Sequence, residues 1–510
     1  MNYYLGLDNG GTATKAGLYS ELGEEVAVAV QETKALLPKP GFVERDMEEM
    51  WQANCQVIRS VLEKSGVSPK DIRAAAVCGH GKGLYLWGKN GDPVRPGIIS
   101  TDNRAYKYPA RWREQGVENT LFPITCQHIL ACQPVSLLAW LKDHEPETIE
   151  KIQWIFSAKD YIRFRLTGQA WAELTDISGS GLLNLHTKRY DPFILEQLGL
   201  EKIAEALPPL CGSLNLCGTV TAEASAACGL AEGTPVIGGM FDIDACALTA
   251  NVTDEDRICM IAGTWSINEY LCTAPVMDGS VLMNSLAAIP GYYLIEESSP
   301  TSAGNNEWFI QTMLPELVQM CSAGKSSIYD QMNRWVESVP DRVLCPIFLP
   351  FLMASNVHPN AKGAFVGMER HHTRAHLARS VYEGIAFGHR MHLERLLQSR
   401  ETQPKGIRLA GGAARSHVWA QMFADVMGMP VETVGARETG TLGCAIAAAT
   451  GAGQYRSVAE AAKKMSKITC AYYPSPERQE IYGKKYRLYK RLINSLDGMW
   501  NEYQSVEETL

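Results

Sequence analysis

The strongest constraint on the fold is a pattern at the start of the chain that recurs in outline near its middle. Tyr3-Tyr4-Leu5-Gly6-Leu7 is an apolar run, Asp8-Asn9-Gly10-Gly11 a turn, and Thr12-Ala13-Thr14-Lys15-Ala16-Gly17-Leu18-Tyr19 a second run. Asn-Gly-Gly between two apolar runs predicts a tight β-hairpin, because Asn and Gly accept positive φ at little steric cost. Residues 258–271 repeat the outline: a strand at Cys259-Met260-Ile261-Ala262, a turn at Gly263-Thr264 and a second strand through Ile267-Asn268-Glu269-Tyr270. The recurrence suggests a duplicated fold, although Gly-Thr turns are common in unrelated chains.

The first hairpin leads into a predicted helix over residues 47–63, with Met50, Cys55, Ile58 and Leu62 near helical spacing. A buried strand at Ala74-Ala75-Ala76-Val77-Cys78 then runs into Gly79-His80-Gly81-Lys82-Gly83. Strands alternate with helices to about residue 240, the pattern of an α/β layered domain. A strand at Pro235-Val236-Ile237 ends in the pair Gly238-Gly239, and Asp242 opens a helix of small residues. In the C-terminal half, residues 376–396 and 418–426 have helical periodicity, and Gly411-Gly412 lies between them, where a strand enters a helix. A chain of 510 residues exceeds what one core organises. The predicted division is 1–245, 246–485 and a helical tail at 486–510.

Composition narrows the function. Lys and Arg total 48 against 56 Asp and Glu, a net charge of −8 with no long basic run, which argues against a nucleic-acid partner. No apolar stretch approaches 18 residues and the first residues lack a secretory signal, so a cytoplasmic protein without a membrane partner is expected. Fourteen cysteines without any C-x-x-C read as buried, reduced thiols. The P-loop, the kinase glycine loop, H-E-x-x-H and G-x-S-x-G are all missing from the sequence.

Four loops carry possible chemistry, each with a plain structural alternative. Asp8 with Gly10, Gly11 and Thr12 is either a hairpin turn or a phosphate cradle, in which glycines admit phosphate to backbone amides and the carboxylate holds a cation through water. Gly263-Thr264 has the same two readings. Gly411-Gly412 is either a packing pair or a flat surface for a ring. Asp242 is either an N-cap or an acceptor for the proton of an attacking hydroxyl. It is preferred to Asp244, which falls within the first helical turn.

These loops, in this order, resemble the FGGY carbohydrate kinases of the actin/hexokinase/Hsp70 superfamily. The most specific match is Gly363-Ala364-Phe365-Val366-Gly367-Met368 followed by His376-Leu377 and Ser380-Val381-Tyr382-Glu383. Supporting segments are Ser157-Ala158-Lys159-Asp160-Tyr161-Ile162-Arg163 and Gly411-Gly412-Ala413-Ala414-Arg415-Ser416. Within the family, Pro40-Gly41-Phe42-Val43-Glu44-Arg45-Asp46-Met47 and Gly81-Lys82-Gly83-Leu84 fit the kinases of L-xylulose.

The resemblance implies an α/β fold of two ribonuclease-H-like domains around a central cleft. It further implies phosphoryl transfer from ATP, with Mg²⁺, to a hydroxyl of a small sugar, the 5-hydroxyl of L-xylulose or a related pentulose. Other sugars or polyols are the alternative, and a homodimer is compatible. By the same resemblance Asp8 holds the metal, and Asp242 is the catalytic base, which needs no raised pKa. Gly11, Thr12, Lys15, Thr264, Gly304, Asn306, Gly411, Gly412 and Ser416 border the nucleotide; His80, Gly81, Lys82, Asp102 and Asp242 border the sugar. The sugar loop departs from the Gln-Met-His-Gly of many xylulose kinases, which leaves Lys82 either a reader of an acidic or hydroxylated substrate or a solvated loop lysine.

Overall fold

The computed structural model describes residues 2–324 and 326–509. The chain forms two compact units, each assembled from three segments: Met1–Thr253 with Leu271–Ile295 and Ala436–Lys467, and Asp254–Tyr270 with Glu296–Gly435 and Ile468–Leu510. No described helix is long and apolar enough to cross a membrane.

The first unit is built on strands β1 (Tyr3–Asn9), β2 (Ala13–Ser20), β3 (Glu25–Glu32), β4 (Ile72–Gly79), β5 (Leu216–Thr219) and β6 (Pro235–Phe241), arranged β3-β2-β1-β4-β6-β5. β1 pairs antiparallel with β2 and parallel with β4; β6 pairs parallel with β4 and antiparallel with the edge strand β5. The second unit contains β7 (Arg257–Ala262), β8 (Ser266–Cys272), β9 (Tyr293–Ser299), β10 (Gly406–Gly411), β11 (Val431–Val434) and β12 (Ile468–Tyr472), arranged β9-β8-β7-β10-β11-β12. Again a hairpin, β7 with β8, is antiparallel, the next two pairings are parallel, and the last is antiparallel. The repeat suspected from two turns therefore extends across six strand positions. The two sheets differ at one edge, where β5 precedes its neighbour in sequence and β12 follows it, and at the other, where Met283–Leu286 adds a seventh strand beside β9.

Two sequence expectations change. The pair Gly238-Gly239 does not end its strand but lies inside β6 as a bulge, with the register to β4 shifting between Ile237 and Met240. Gly239 has φ of 75° and a Cβ there would stand 1.9 Å from the Val77 carbonyl oxygen, so only glycine fits. The compact units also depart from the contiguous segments 1–245, 246–485 and 486–510. The helix Thr439–Gly451 belongs with the first unit because its small residues allow backbone-to-backbone packing. A Cβ on Gly6 of β1 would meet the Thr441 carbonyl oxygen at 1.8 Å, and one on Gly443 would meet the Ala245 carbonyl oxygen at 2.2 Å. The closing helix Pro476–Leu496 is part of the second unit, with Tyr482, Tyr486 and Tyr489 buried.

Because Gly443 leaves no room for a methyl group, Gly443→Ala is expected to destabilise the first unit by roughly 1–3 kcal/mol through overpacking. Gly483→Ala, on the helix Pro476–Leu496 with only an Arg487 side-chain atom at 3.7 Å, should be neutral or slightly stabilising. Thermal unfolding of the two variants checks this, and equal midpoints would contradict the packing account.

Candidate active site

Three parallel strands of the first unit end together. In register, Asn9 of β1 lies beside Gly79 of β4, and Gly79 beside Phe241 of β6. Asp8, His80 and Asp242 are therefore delivered to one edge of the sheet, where loops leave for helices and where ligands gather in open α/β sheets. The helix Asp242–Thr249 starts directly from β6, with Phe241 at its N-cap and no side-chain capping bond. The N-cap reading of Asp242 falls away, because Phe241 holds the N-cap position and Asp242 opens the helix itself, its carboxylate accepting from the Ile243 N–H.

The first hairpin loop is tied from below. Gly10 N–H donates to the Ala13 carbonyl at 3.0 Å, and buried Asn9 accepts from Asn54 Nδ2 at 2.7 Å. Neither Gly10 nor Gly11 has positive φ, so these glycines serve space rather than dihedral freedom. A Cβ on Gly11 would meet nothing within 4 Å, and Thr12 is exposed. Arg45, which is buried, donates to both the Gly10 and Gly11 carbonyls.

Asp8 and Lys15 face each other across the β1–β2 pair. Lys15 Nζ lies 2.7 Å from Glu438 Oε2 and 3.9 Å from Asp8 Oδ2. The first turn of the helix Thr439–Gly451 presses on the same carboxylate: a Cβ on Gly440 would stand 2.6 Å from Asp8 Oδ2. Burial raises the Asp8 carboxyl, Lys15 opposes the rise and Glu438 adds to it. Burial works against the Lys15 ammonium, but Asp8 and Glu438 carry it above its ordinary value.

The Asp242 carboxyl is pushed well above the ordinary carboxylate range, first by burial, then by Asp8 and Asp176, with Lys82 pulling the other way. The sequence reading asked for no raised pKa at Asp242; the loss of solvation and the neighbouring carboxylates raise it nonetheless. Lys82 stands at φ of 63° between Gly81 and Gly83, a backbone region that costs a non-glycine residue roughly 1–2 kcal/mol. Its ammonium lies 5.8 Å from the centre of the Phe241 ring. Beneath them, Lys159 binds Asp160 at 2.7 Å and Glu173 at 3.2 Å, with Asp176 at 3.8 Å. Burial drives Asp176 up to about 7 against Lys159, with Asp160 adding.

The remaining sugar-side candidates are engaged internally. Both ring nitrogens of His80 have partners, Tyr85 Oη at 2.8 Å and the Gly81 carbonyl at 3.3 Å, and burial followed by Arg45 lowers its pKa to about 4. His80 is neutral near pH 7. Asp102 accepts from Val43 N–H at 2.6 Å and from Arg104 Nε and Nη2 at 2.9 and 2.8 Å. It anchors the loop that carries Phe42, over whose ring Arg104 stacks at 4.2 Å.

The second unit supplies the remaining nucleotide-side candidates. Gly304 packs against Thr264, where a Cβ would lie 3.1 Å from Thr264 Cγ2, while the Thr264 side of the turn is exposed. Gly411, with φ of 83°, leaves no room against Ala262, whereas Gly412 is open apart from one contact at 3.9 Å. Of the pair, Gly412 is the one that offers a flat approach. Ser416 caps the helix His417–Met427 through Trp419 N–H and donates to Asn333 Oδ1 at 2.6 Å. Asn306 is buried and its Oδ1 has no hydrogen-bond partner among the described residues.

Asp176, Glu438 and Gly440 escaped the sequence reading, and Arg45 entered it only as part of a matching segment, without a role. Arg45 and Glu438 lie far in sequence from the loops they serve, and nothing local distinguishes them; only the strand order brings them together.

Comparison with known proteins identifies the family. Residues 3–249 match the model of the N-terminal domain, and residues 258–452 that of the C-terminal domain, of the FGGY family of carbohydrate kinases. The chain is 40% identical over 498 residues to the L-xylulose/3-keto-L-gulonate kinase of Escherichia coli K12, covering 97% of each chain. It is 37% identical to a probable L-xylulose kinase of Pasteurella multocida, covering 98% of this chain and all of that one. In fold it is similar to a ligand-bound xylulose kinase of Lactobacillus acidophilus, with a TM-score of 0.87 at 24% identity, covering 99% of this chain and 100% of the other. A two-unit α/β chain that matches both domain models along most of its length is a member of the FGGY family of carbohydrate kinases, enzymes that phosphorylate sugars with ATP.

Proposed function

We propose that this kinase transfers the γ-phosphoryl group of ATP to the 5-hydroxyl of L-xylulose or a closely related keto-sugar, with Asp242 accepting the hydroxyl proton. The observation that carries the reading is Asp242 itself: a carboxyl that follows a strand end and opens a helix, raised by loss of solvation and flanked by Lys82 and Asp8. A base whose pKa has moved toward working pH is well matched to a sugar hydroxyl. The names of the two relatives support L-xylulose. The Lys82 ammonium beside the base also suits an acidic keto-sugar of the kind in the Escherichia coli relative's name.

On this reading Gly11 and Thr12 meet the transferring phosphate, and Thr264, Gly304, Gly412 and Ser416 border the rest of the nucleotide. Mg²⁺ takes oxygen ligands and is usually held by one or two carboxylates plus phosphate oxygens. Asp8 fits that role: Lys15 is 3.9 Å away, and the Cys78 thiol at 3.6 Å is a weak donor. Bound there, the ion would supply charge neutralisation on the phosphates. Lys15, held by Glu438, keeps a cation at the Asp8 edge. Because phosphoryl transfer has a loose transition state, positioning and charge placement carry most of the catalysis. A reducing, cytoplasmic setting fits fourteen cysteines spread along the chain without any C-x-x-C.

A coupled assay of ADP release over L-xylulose, D-xylulose, L-ribulose, gluconate and 3-keto-L-gulonate tests the assignment. L-xylulose or 3-keto-L-gulonate should give the highest kcat/KM, and a preference for gluconate would overturn it. Asp242→Asn should lower kcat by roughly 10²–10⁴-fold with ATP binding retained. Lys82→Ala should raise the sugar KM about tenfold, the scale of one charge-assisted hydrogen bond, with the ATP KM nearly unchanged. Equal effects on both KM values would remove Lys82 from the sugar site.

A further inference from the structure

Arg45 is an anomaly that the reading above leaves unused. It is 1% exposed, yet among the described residues its guanidinium donates only to the carbonyls of Gly10, at 3.0 Å, and Gly11, and its buried Nε has no partner there. Its charge is matched by carbonyl oxygens and not by a carboxylate. Burying an ion in this way costs several kcal/mol, so a neutral side chain would hold a mere turn more cheaply. The neighbouring residues show what a cation adds. Glu44 and Arg45 form a short strand with Gly97–Ile98, which fixes the side chain beneath the β1–β2 loop.

The peptide unit is planar and trans, so the C=O of one residue and the N–H of the next point in opposite directions. Pinning the Gly10 carbonyl toward Arg45 turns the Gly11 N–H away from it, and pinning the Gly11 carbonyl does the same for the Thr12 N–H. These two amides make no backbone hydrogen bond among the described residues. They emerge on the side where Gly11 has open space and Thr12 is exposed. A cationic donor on each carbonyl also polarises the peptide group and makes its amide a stronger donor.

We propose that Arg45 is a positioning residue for phosphoryl transfer: by holding both loop carbonyls it aims the Gly11 and Thr12 amides at the terminal phosphate of ATP and places a fixed positive charge behind them. This rests on the loop being the phosphate cradle of the kinase. The expected signature separates ATP from ADP, because only ATP carries the phosphate at stake.

The test is calorimetric binding of ADP and of a non-hydrolysable ATP analogue to the full-length wild type, Arg45→Gln, Arg45→Lys and Thr12→Val, with steady-state kinetics and thermal midpoints alongside. Arg45→Gln should weaken the ATP analogue at least tenfold while ADP changes less than threefold. It should also lower kcat about 100-fold with the sugar KM changed less than threefold. Arg45→Lys, which keeps the charge but not the two-carbonyl fork, should fold like wild type and recover part of kcat. Equal weakening of ADP and the analogue by Arg45→Gln, or an unchanged kcat in Arg45→Lys and Arg45→Gln alike, would overturn the proposal. If Thr12→Val weakens the analogue but Arg45→Gln does not, the cradle stands and Arg45 is excluded from it. If neither variant discriminates the nucleotides, the cradle reading fails with it.

Discussion

Parallel pairing of β1, β4 and β6 is the constraint on which the site depends. Each strand has its own sequence neighbourhood, yet the shared direction and register bring Asp8, His80 and Asp242 to one edge. The bulge at Gly238-Gly239 belongs to the same constraint. It lets β6 run close against Val77 while its last residues return to register with Cys78 and Gly79. A side chain at Gly239 would move the strand that carries Asp242.

Charge placement follows from that geometry. The edge collects carboxylates in a buried setting, so Asp8, Asp176 and Asp242 are all raised, each mainly by loss of solvation. Lysines meet them: Lys15 at Asp8, Lys82 toward Asp242, and Lys159 beneath, which Asp160, Glu173 and Asp176 keep protonated against burial. Asp242 stays raised because Lys82 offsets only part of what burial and two neighbouring acids impose. On the proposed reading, the result is a base with proton affinity at the place where a hydroxyl must lose a proton. Arg45 fits the same pattern from the other side, a cation set under peptide carbonyls whose amides face a phosphate.

Much of this was legible in the sequence, and the exceptions are instructive. The first hairpin, the helix at Met47–Ser65 and the strand at Ile72–Gly79 follow from apolar periodicity and turn residues, and the structure places them within two residues of expectation. Asp8 and Asp242 were found because small residues and acids at strand ends are unusual. Glu438 and Gly440 were not, because their helix, Thr439–Gly451, is almost uniformly small and reads as ordinary core until its packing on Gly6 and Ala245 is known. That long-range packing also explains why residues 436–467 join the first unit. His80 and Asp102 show the opposite case: polar residues in the right segments whose hydrogen bonds are already taken within the fold.

The central claim is that a half-buried, charge-crowded Asp242 acts as the base, and its most direct test is the pH dependence of kcat/KM for the sugar. This quantity reports ionisations of the free enzyme. A carboxyl raised by burial stays protonated as pH falls, so kcat/KM should decline on the acid side through an apparent pKa well above the usual carboxylate value of about 4. A profile flat from about pH 5 to about pH 8 would contradict it, since an ordinary carboxylate would be fully ionised over that range.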